Sequence, residues 1–197
     1  MKKIIGIGLA VLLALVGFSS VFAQEVSLRK AVLIIAENDF QDDEFLQPLD
    51  VLEESGVEVT VASTTLGEAK GMNGAKVKPD ILIKDIKVDD FNAVVFIGGT
   101  GATQYLDDPI AHKIAQEAVV KNKILGAICL GPVILANAGV LTGKNATAYP
   151  TNGDKLKAAG VNYTAKPVEK DGKIITADGP KSAKEFGEEL SKELLNI

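Results

Sequence analysis

The stretch 123-KILGAICLGPVILANAG-139 decides the fold. Its first half is a short apolar run suited to a buried strand, and its second half reads as a short helix closed by Gly139. A buried strand that passes directly into a helix is the building unit of a parallel sheet covered on both faces. Cys129, the only cysteine in 197 residues, stands at the changeover, with Ala127 two residues before it and Gly131 two residues after. No bulky side chain obstructs a tight turn there. Pro132 suits the first turn of the helix, where its missing N–H would be unpaired in any case.

Working outward, the alternation continues. "KAVLIIA" (30–36), "VEVTVAS" (57–63) and "AVVFIGG" (93–99) read as strands, while "DDEFLQPLDVLEESG" (42–56) and "DPIAHKIAQEAVVKN" (108–122) have helical spacing. The Gly- and Lys-rich segment 68–86 fits a small hairpin or excursion. Beyond the central stretch, "ATAYP" (146–150) leads to a short helix through "GDKLKAAG", then to the strands "AKPVEK" and "KIITA" joined at Asp171-Gly172. "SAKEFGEELSKELL" closes the chain as an amphipathic helix. No repeat, linker or low-complexity segment interrupts the pattern. The expectation is an α/β fold, doubly wound, in one domain over residues 24–197.

Residues 1–23 are set apart as a signal peptide. Lys2 and Lys3 precede an uncharged apolar run from Ile4 to Phe18, and small residues lead to a cleavage point after Ala23. The run is shorter than the roughly 20 residues of a spanning helix, so cleavage and export are expected, with a periplasmic or extracellular destination if the source is prokaryotic. No stable membrane association is expected after cleavage. The remaining chain carries 19 basic and 26 acidic residues, with the bases scattered among the acids, which argues against nucleic acid as a partner.

A lone cysteine in an oxidising compartment is inert, paired between chains, or reactive. The surroundings of Cys129 favour the last. A small-residue turn from strand to helix follows the logic of the nucleophile elbow, with sulfur in place of a hydroxyl. The helix start favours thiolate. The backbone N–H of Leu130 and that of Gly99, in the "GGTG" loop, are the candidate oxyanion donors.

From about Lys30 to Leu195 the chain resembles the ThiJ/PfpI family, of the class I glutamine amidotransferase-like superfamily. The resemblance rests on "GAICLGPVILANAGVL", "VVFIGGTGA", "FQDDEFLQPLDVLEESGVEVTVAS" and "EKDGKIITADGP", in the family's order. It implies a flavodoxin-like sandwich, a homodimer or higher homo-oligomer, and a glutamate partner for the cysteine, four residues before a helical proline. Here that is Glu44, before Pro48. The resemblance also places Gly98, Tyr149 and Asp178 around the pocket, with Tyr149 either a hydroxyl donor or packed on Pro150. A negative Asp178 facing the pocket would weaken binding of anionic substrates.

One departure stands out. Many members have histidine directly after the cysteine, but this chain has Leu130. The sole histidine, His112, reads as a solvated position of the second helix. Glutaminase chemistry is excluded because no histidine follows residue 112. Asp39, Asp42 and Asp43 read as a solvated helix start, so no metal is expected, and "GGTGATQ" lacks the features of a nucleotide site; no cofactor is expected.

The resemblance therefore implies a cysteine- and glutamate-dependent lyase or hydrolase in stress protection. Its substrate would be a small reactive carbonyl or a carbonyl-modified protein. The alternatives are a redox sensor or holdase using Cys129 oxidation, and a peptidase or amidase, which Leu130 disfavours.

Overall fold

The computed structural model describes residues 28–196; the signal peptide expected over 1–23 lies outside them. The central sheet has seven strands. Its inner members are β1 (Lys30–Ile34), β3 (Glu58–Ser63), β7 (Ala93–Phe96), β8 (Ile124–Ile128) and β12 (Ile174–Ala177), flanked by β6 (Ile81–Leu82) and β11 (Val168–Asp171). They lie in the order β11-β12-β8-β7-β1-β3-β6, all parallel except β11, which runs antiparallel to β12. The strands β3, β1, β7, β8 and β12 give the 2-1-3-4-5 order of a flavodoxin-like sheet.

Strand residues alternate between two cores. Ala31, Leu33, Val95 and Ile128 face one side with Phe45 and Leu52 of α1 (Asp42–Glu54) and Phe186, Leu190 and Leu194 of α5 (Ala183–Leu195). Val32, Ile34, Val94 and Leu125 face the other, under α2 (Pro109–Val120), α3 (Gly131–Asn137) and α4 (Gly153–Ala158). Burial of both faces explains why these strands read as continuous apolar runs.

Two small sheets accompany the central sheet among the described residues. β2 (Asn38–Phe40), β4 (Ala69–Gly71) and β5 (Lys76–Val77) form one, and β9 (Asn145–Ala146) pairs with β10 (Asn162–Tyr163) in the other. The excursion expected at 68–86 is thus built as β4, β5 and β6. β2 was not anticipated, because three residues, two of them exposed, give no alternation to read.

The chain winds from β1 outward to β3 and β6, then crosses back to β7 on the other side of β1. Strand order therefore reverses between β1 and β7, and the loops there diverge to leave a crevice at the carboxyl ends of the strands. α1 follows β1 through β2, the glycine loop follows β7, and Cys129 follows β8. All three arrive at that crevice.

Candidate active site

Cys129 sits in the left-handed backbone region, at φ 62°. A side chain in that conformation is strained by about 1–3 kcal/mol, so its surroundings must hold it. Two hydrogen bonds do. The Cys129 N–H donates to the Ala177 carbonyl at 2.9 Å, and its own carbonyl accepts from the Tyr149 N–H at 3.0 Å. The elbow turns sharply because Gly131 passes against the end of β7, where an added Cβ would lie 2.7 Å from the Phe96 carbonyl oxygen. Leu130, half-buried, caps α3, and Pro132 falls in its first turn as the sequence requires.

Glu44 is fully buried on α1. The Gln41 side chain caps that helix, accepting from the Glu44 N–H at 2.8 Å. Pro48 lacks the N–H that would otherwise bond the Glu44 carbonyl, so the helix is loosened at this turn. The Glu44 carboxylate lies against Gly98 and Cys129. Any Cβ on Gly98 would collide with the carboxylate and would sit 2.7 Å from the Cys129 Cβ. Gly98 is therefore the spacer that lets acid and thiol meet. It stands behind the carboxylate instead of lining the open cleft.

Neither Glu44 oxygen receives a well-formed hydrogen bond. Burial accordingly dominates and raises the Glu44 pKa to about 7, against a weaker lowering pull from the Cys129 thiol and the Gly98 N–H; Asp43 and Asp178 push it further up. Burial also pushes the Cys129 thiol up, to about 12, reinforced by the charge and hydrogen bond of Glu44. The backbone N–H groups of Gly99 and Leu130 act on the sulfur in the opposite sense. The expectation that the helix start alone would favour thiolate thus misses the larger effect. Burial outweighs it, and α3 is only seven residues long.

Cys129, Glu44, Gly99, Leu130 and Tyr149 line one cleft of about 480 Å³. The structure therefore brings together the expected nucleophile, its acid and both backbone donors. Tyr149 is 44% exposed on the rim, where its ring packs near Gly179. Asp178 lines an adjoining recess with Tyr149 and accepts from the Ser182 hydroxyl at 2.6 Å. It reaches the site only through its charge.

His112 is half-buried, not solvated. Its Nε2 lies 2.8 Å from the Leu106 carbonyl, which can only accept, so Nε2 carries the proton and the ring is committed to α2 packing. Asp42 also departs from expectation. It is buried, and its carboxylate accepts backbone N–H groups from Asn73 and Ala75 at 2.8 and 2.7 Å. That bond set brings Met72 to the cleft wall, a contact no local sequence signal could have revealed.

Comparison with known proteins bears on the family and the fold. An uncharacterised protein of Methanocaldococcus jannaschii is 43% identical over 166 residues, spanning 83% of this chain and 81% of its own. The deglycase PfpI of Pyrococcus furiosus is 34% identical over 76% of this chain and 90% of its own. A glutathione-independent glyoxalase of Caenorhabditis elegans is 28% identical over 80% and 84%. Among solved structures, a ThiJ/PfpI domain protein from Brachyspira murdochii superposes with a TM-score of 0.84 at 29% identity, covering 86% of this chain and 98% of that one. The DJ-1/PfpI family profile matches residues 29–193, nearly all of the described chain, and the chain belongs to the DJ-1/PfpI family.

Proposed function

We infer that this protein is a carbonyl-handling enzyme of the glyoxalase or deglycase type, with Cys129 as nucleophile and Glu44 as the group that moves the proton. The observation that carries this is the meeting of a buried, poorly solvated carboxyl with a sulfur that faces two backbone N–H groups. The pair holds two protons at low pH and loses the first near pH 7. The Glu44 carboxylate so formed takes the Cys129 proton as the sulfur attacks, and the charge passes to a sulfur that faces the Gly99 and Leu130 N–H groups. Glu44 then holds the proton. Relatives named deglycase and glyoxalase favour the same substrate class.

The chemistry follows for a 2-oxoaldehyde. The thiolate adds to the aldehyde carbon, a C–S bond forms, and the carbonyl electron pair moves to oxygen, which takes the Glu44 proton to give a hemithioacetal. The Glu44 carboxylate then removes the proton left on that carbon. The electrons shift towards the neighbouring carbonyl, whose oxygen takes up the hemithioacetal hydroxyl proton, and returning the carbon-bound proton to the second carbon leaves a thioester. Water releases a 2-hydroxy acid and regenerates the thiol. Every proton is accounted for without imidazole. Amide hydrolysis would instead require an acid for the leaving amine, and His112 is held by Leu106 in α2 packing.

Iodoacetamide alkylation followed against pH tests the shared proton. Wild-type Cys129 should react with a midpoint near 7 and Glu44→Gln with one above the free-thiol value of ~8.5. A lower midpoint in Glu44→Gln would show that Glu44 merely repels charge. Methylglyoxal conversion should fall at least about a hundredfold in Cys129→Ser and in Glu44→Gln. Equal conversion by wild type and Cys129→Ser would remove the enzymatic reading. We also propose that the chain is exported; N-terminal sequencing of secreted material should begin at Gln24.

A further inference from the structure

Among the described residues, the cleft beside Cys129 is lined by no lysine, arginine or histidine, and Glu44 is its only ionisable group besides the thiol and the Tyr149 phenol. Lys181 lines the adjoining recess with Asp178. Hydroxyls and amides make up part of the wall, and the large apolar surfaces come from Met72, Leu130 and Tyr149. Met72 and Tyr149 are 47% and 44% exposed. Large apolar side chains held open on the rim of a concave site are ligand surface more often than accident.

Met72 is not exposed through looseness. Its N–H donates to the Phe40 carbonyl at 2.9 Å, and the Gly71 N–H donates to Ala75 at 2.8 Å across the turn. Asp42 clamps the same turn through Asn73 and Ala75. Gly71 is required for this approach, since a Cβ there would lie 2.5 Å from an Asp42 carboxylate oxygen. Asp42 and Glu44 share the first turn of α1. The Met72 turn and the catalytic acid are therefore fixed to one rigid segment.

The size of the cleft adds a second constraint. About 480 Å³ lies within the roughly 300–1,000 Å³ of sites that take ligands much larger than a three-carbon dicarbonyl. An anion entering it would shed water without meeting a cation, beside a pair that already carries one negative charge above pH 7.

We propose that Met72 is the specificity wall of this cleft. The site takes neutral carbonyl compounds bearing an apolar substituent of side-chain size and rejects those bearing carboxylate or phosphate. The carbonyl part rests on the function inferred above; the preference for neutral and apolar groups is testable apart from it.

Because Cys129 is the only cysteine in the chain, alkylation reports on this cleft alone. Iodoacetate, iodoacetamide and N-benzyl iodoacetamide each form a C–S bond with loss of iodide, the thiol proton passing to solvent. Their rates at pH 8.5, divided by those for 2-mercaptoethanol, are read by intact mass spectrometry. The benzyl reagent should exceed iodoacetamide about tenfold, and iodoacetate should fall at least about tenfold below it. Met72→Ala should remove most of the preference for the benzyl reagent over iodoacetamide, and Met72→Lys should raise the iodoacetate rate relative to iodoacetamide. Labelling by iodoacetate as fast as by iodoacetamide, a benzyl preference untouched in Met72→Ala, or no labelling by any reagent would overturn the proposal. The selectivity without Cys129-dependent turnover of methylglyoxal or phenylglyoxal would leave Met72 its role and refute the carbonyl function. Turnover without Met72-dependent selectivity would do the reverse.

Discussion

Glu44 is buried with neither oxygen well paired, so its ionisation weakens the folded state. Its pKa stands at about 7, against 4.5 for an unperturbed glutamate. Between those values the folded protein holds a proton that the unfolded chain has released. Stability contributed by this group is therefore full below pH 4.5 and declines as pH rises to 7, by about 3 kcal/mol in all. Asp89, Glu169 and Asp171 are shifted the other way, so the wild-type curve alone would mix opposite effects. The difference between wild type and Glu44→Gln isolates the residue. Urea unfolding at pH 5 and pH 8 should show the variant gaining about 2–3 kcal/mol on the wild type between the two. An unchanged difference would mean that water reaches the carboxyl. The same residue illustrates the limit of a single sequence. Asp42, Asp43 and Glu44 form one acidic run in which any member fits a helix start, and only resemblance to a family singled out Glu44. Asp42 was misread as solvated because its partners, Asn73 and Ala75, lie more than thirty residues away.

The elements were more legible than their tips. β1, β3, β7 and β8 follow from apolar runs, and α2 and α5 from spacing, because burial on a whole face imprints a period on the sequence. "ATAYP" kept strand form only at Ala146, since the chain there leaves β9 to bind the elbow: the Tyr149 N–H is taken by Cys129. The glycine loop after β7 is where an element-level change should be most disruptive. In Gly98→Ala the new methyl group would displace the Glu44 carboxylate and press on Cys129. Destabilisation of about 1–3 kcal/mol is expected from overpacking, together with loss of at least about tenfold in carbonyl turnover as acid and thiol separate. A Gly98→Ala protein with normal turnover would show that Glu44 need not contact the sulfur.

Across the whole molecule, the last helix positions the first. α5 packs along α1, with Gly187 against Pro48 and the Ser191 hydroxyl donating to that of Ser55 at 2.7 Å. Alanine is favoured over glycine in a helix by about 1 kcal/mol, but at position 187 its Cβ would lie 2.8 Å from the Pro48 Cα. Backbone cannot yield as a side chain can, so the clash should win. Gly187→Ala is expected to lower Tm by roughly 2–8 °C. It should also reduce turnover, because α1 carries Glu44. A raised Tm by differential scanning calorimetry would show that α5 slides freely on α1. That contact was not readable from sequence, since a glycine inside an amphipathic helix signals only reduced helix propensity.

The two hydrogen bonds that hold Cys129 in its left-handed turn carry a consequence for the order of assembly. Glu44, Gly99, Cys129 and Leu130 are all present once the first 130 residues exist. The groups that fix the cysteine, the Tyr149 N–H and the Ala177 carbonyl, come 20 and 48 residues later. A growing or refolding chain must therefore carry an ordinary, relaxed thiol until its final strand docks beside β8. Pulse alkylation during refolding should show Cys129 reacting like a free thiol first and acquiring its altered pH dependence only as β12 becomes protected from hydrogen exchange. The proposed nucleophile is thus shaped only as β12 docks, so a partly folded copy has no tuned sulfur with which to attack its neighbours.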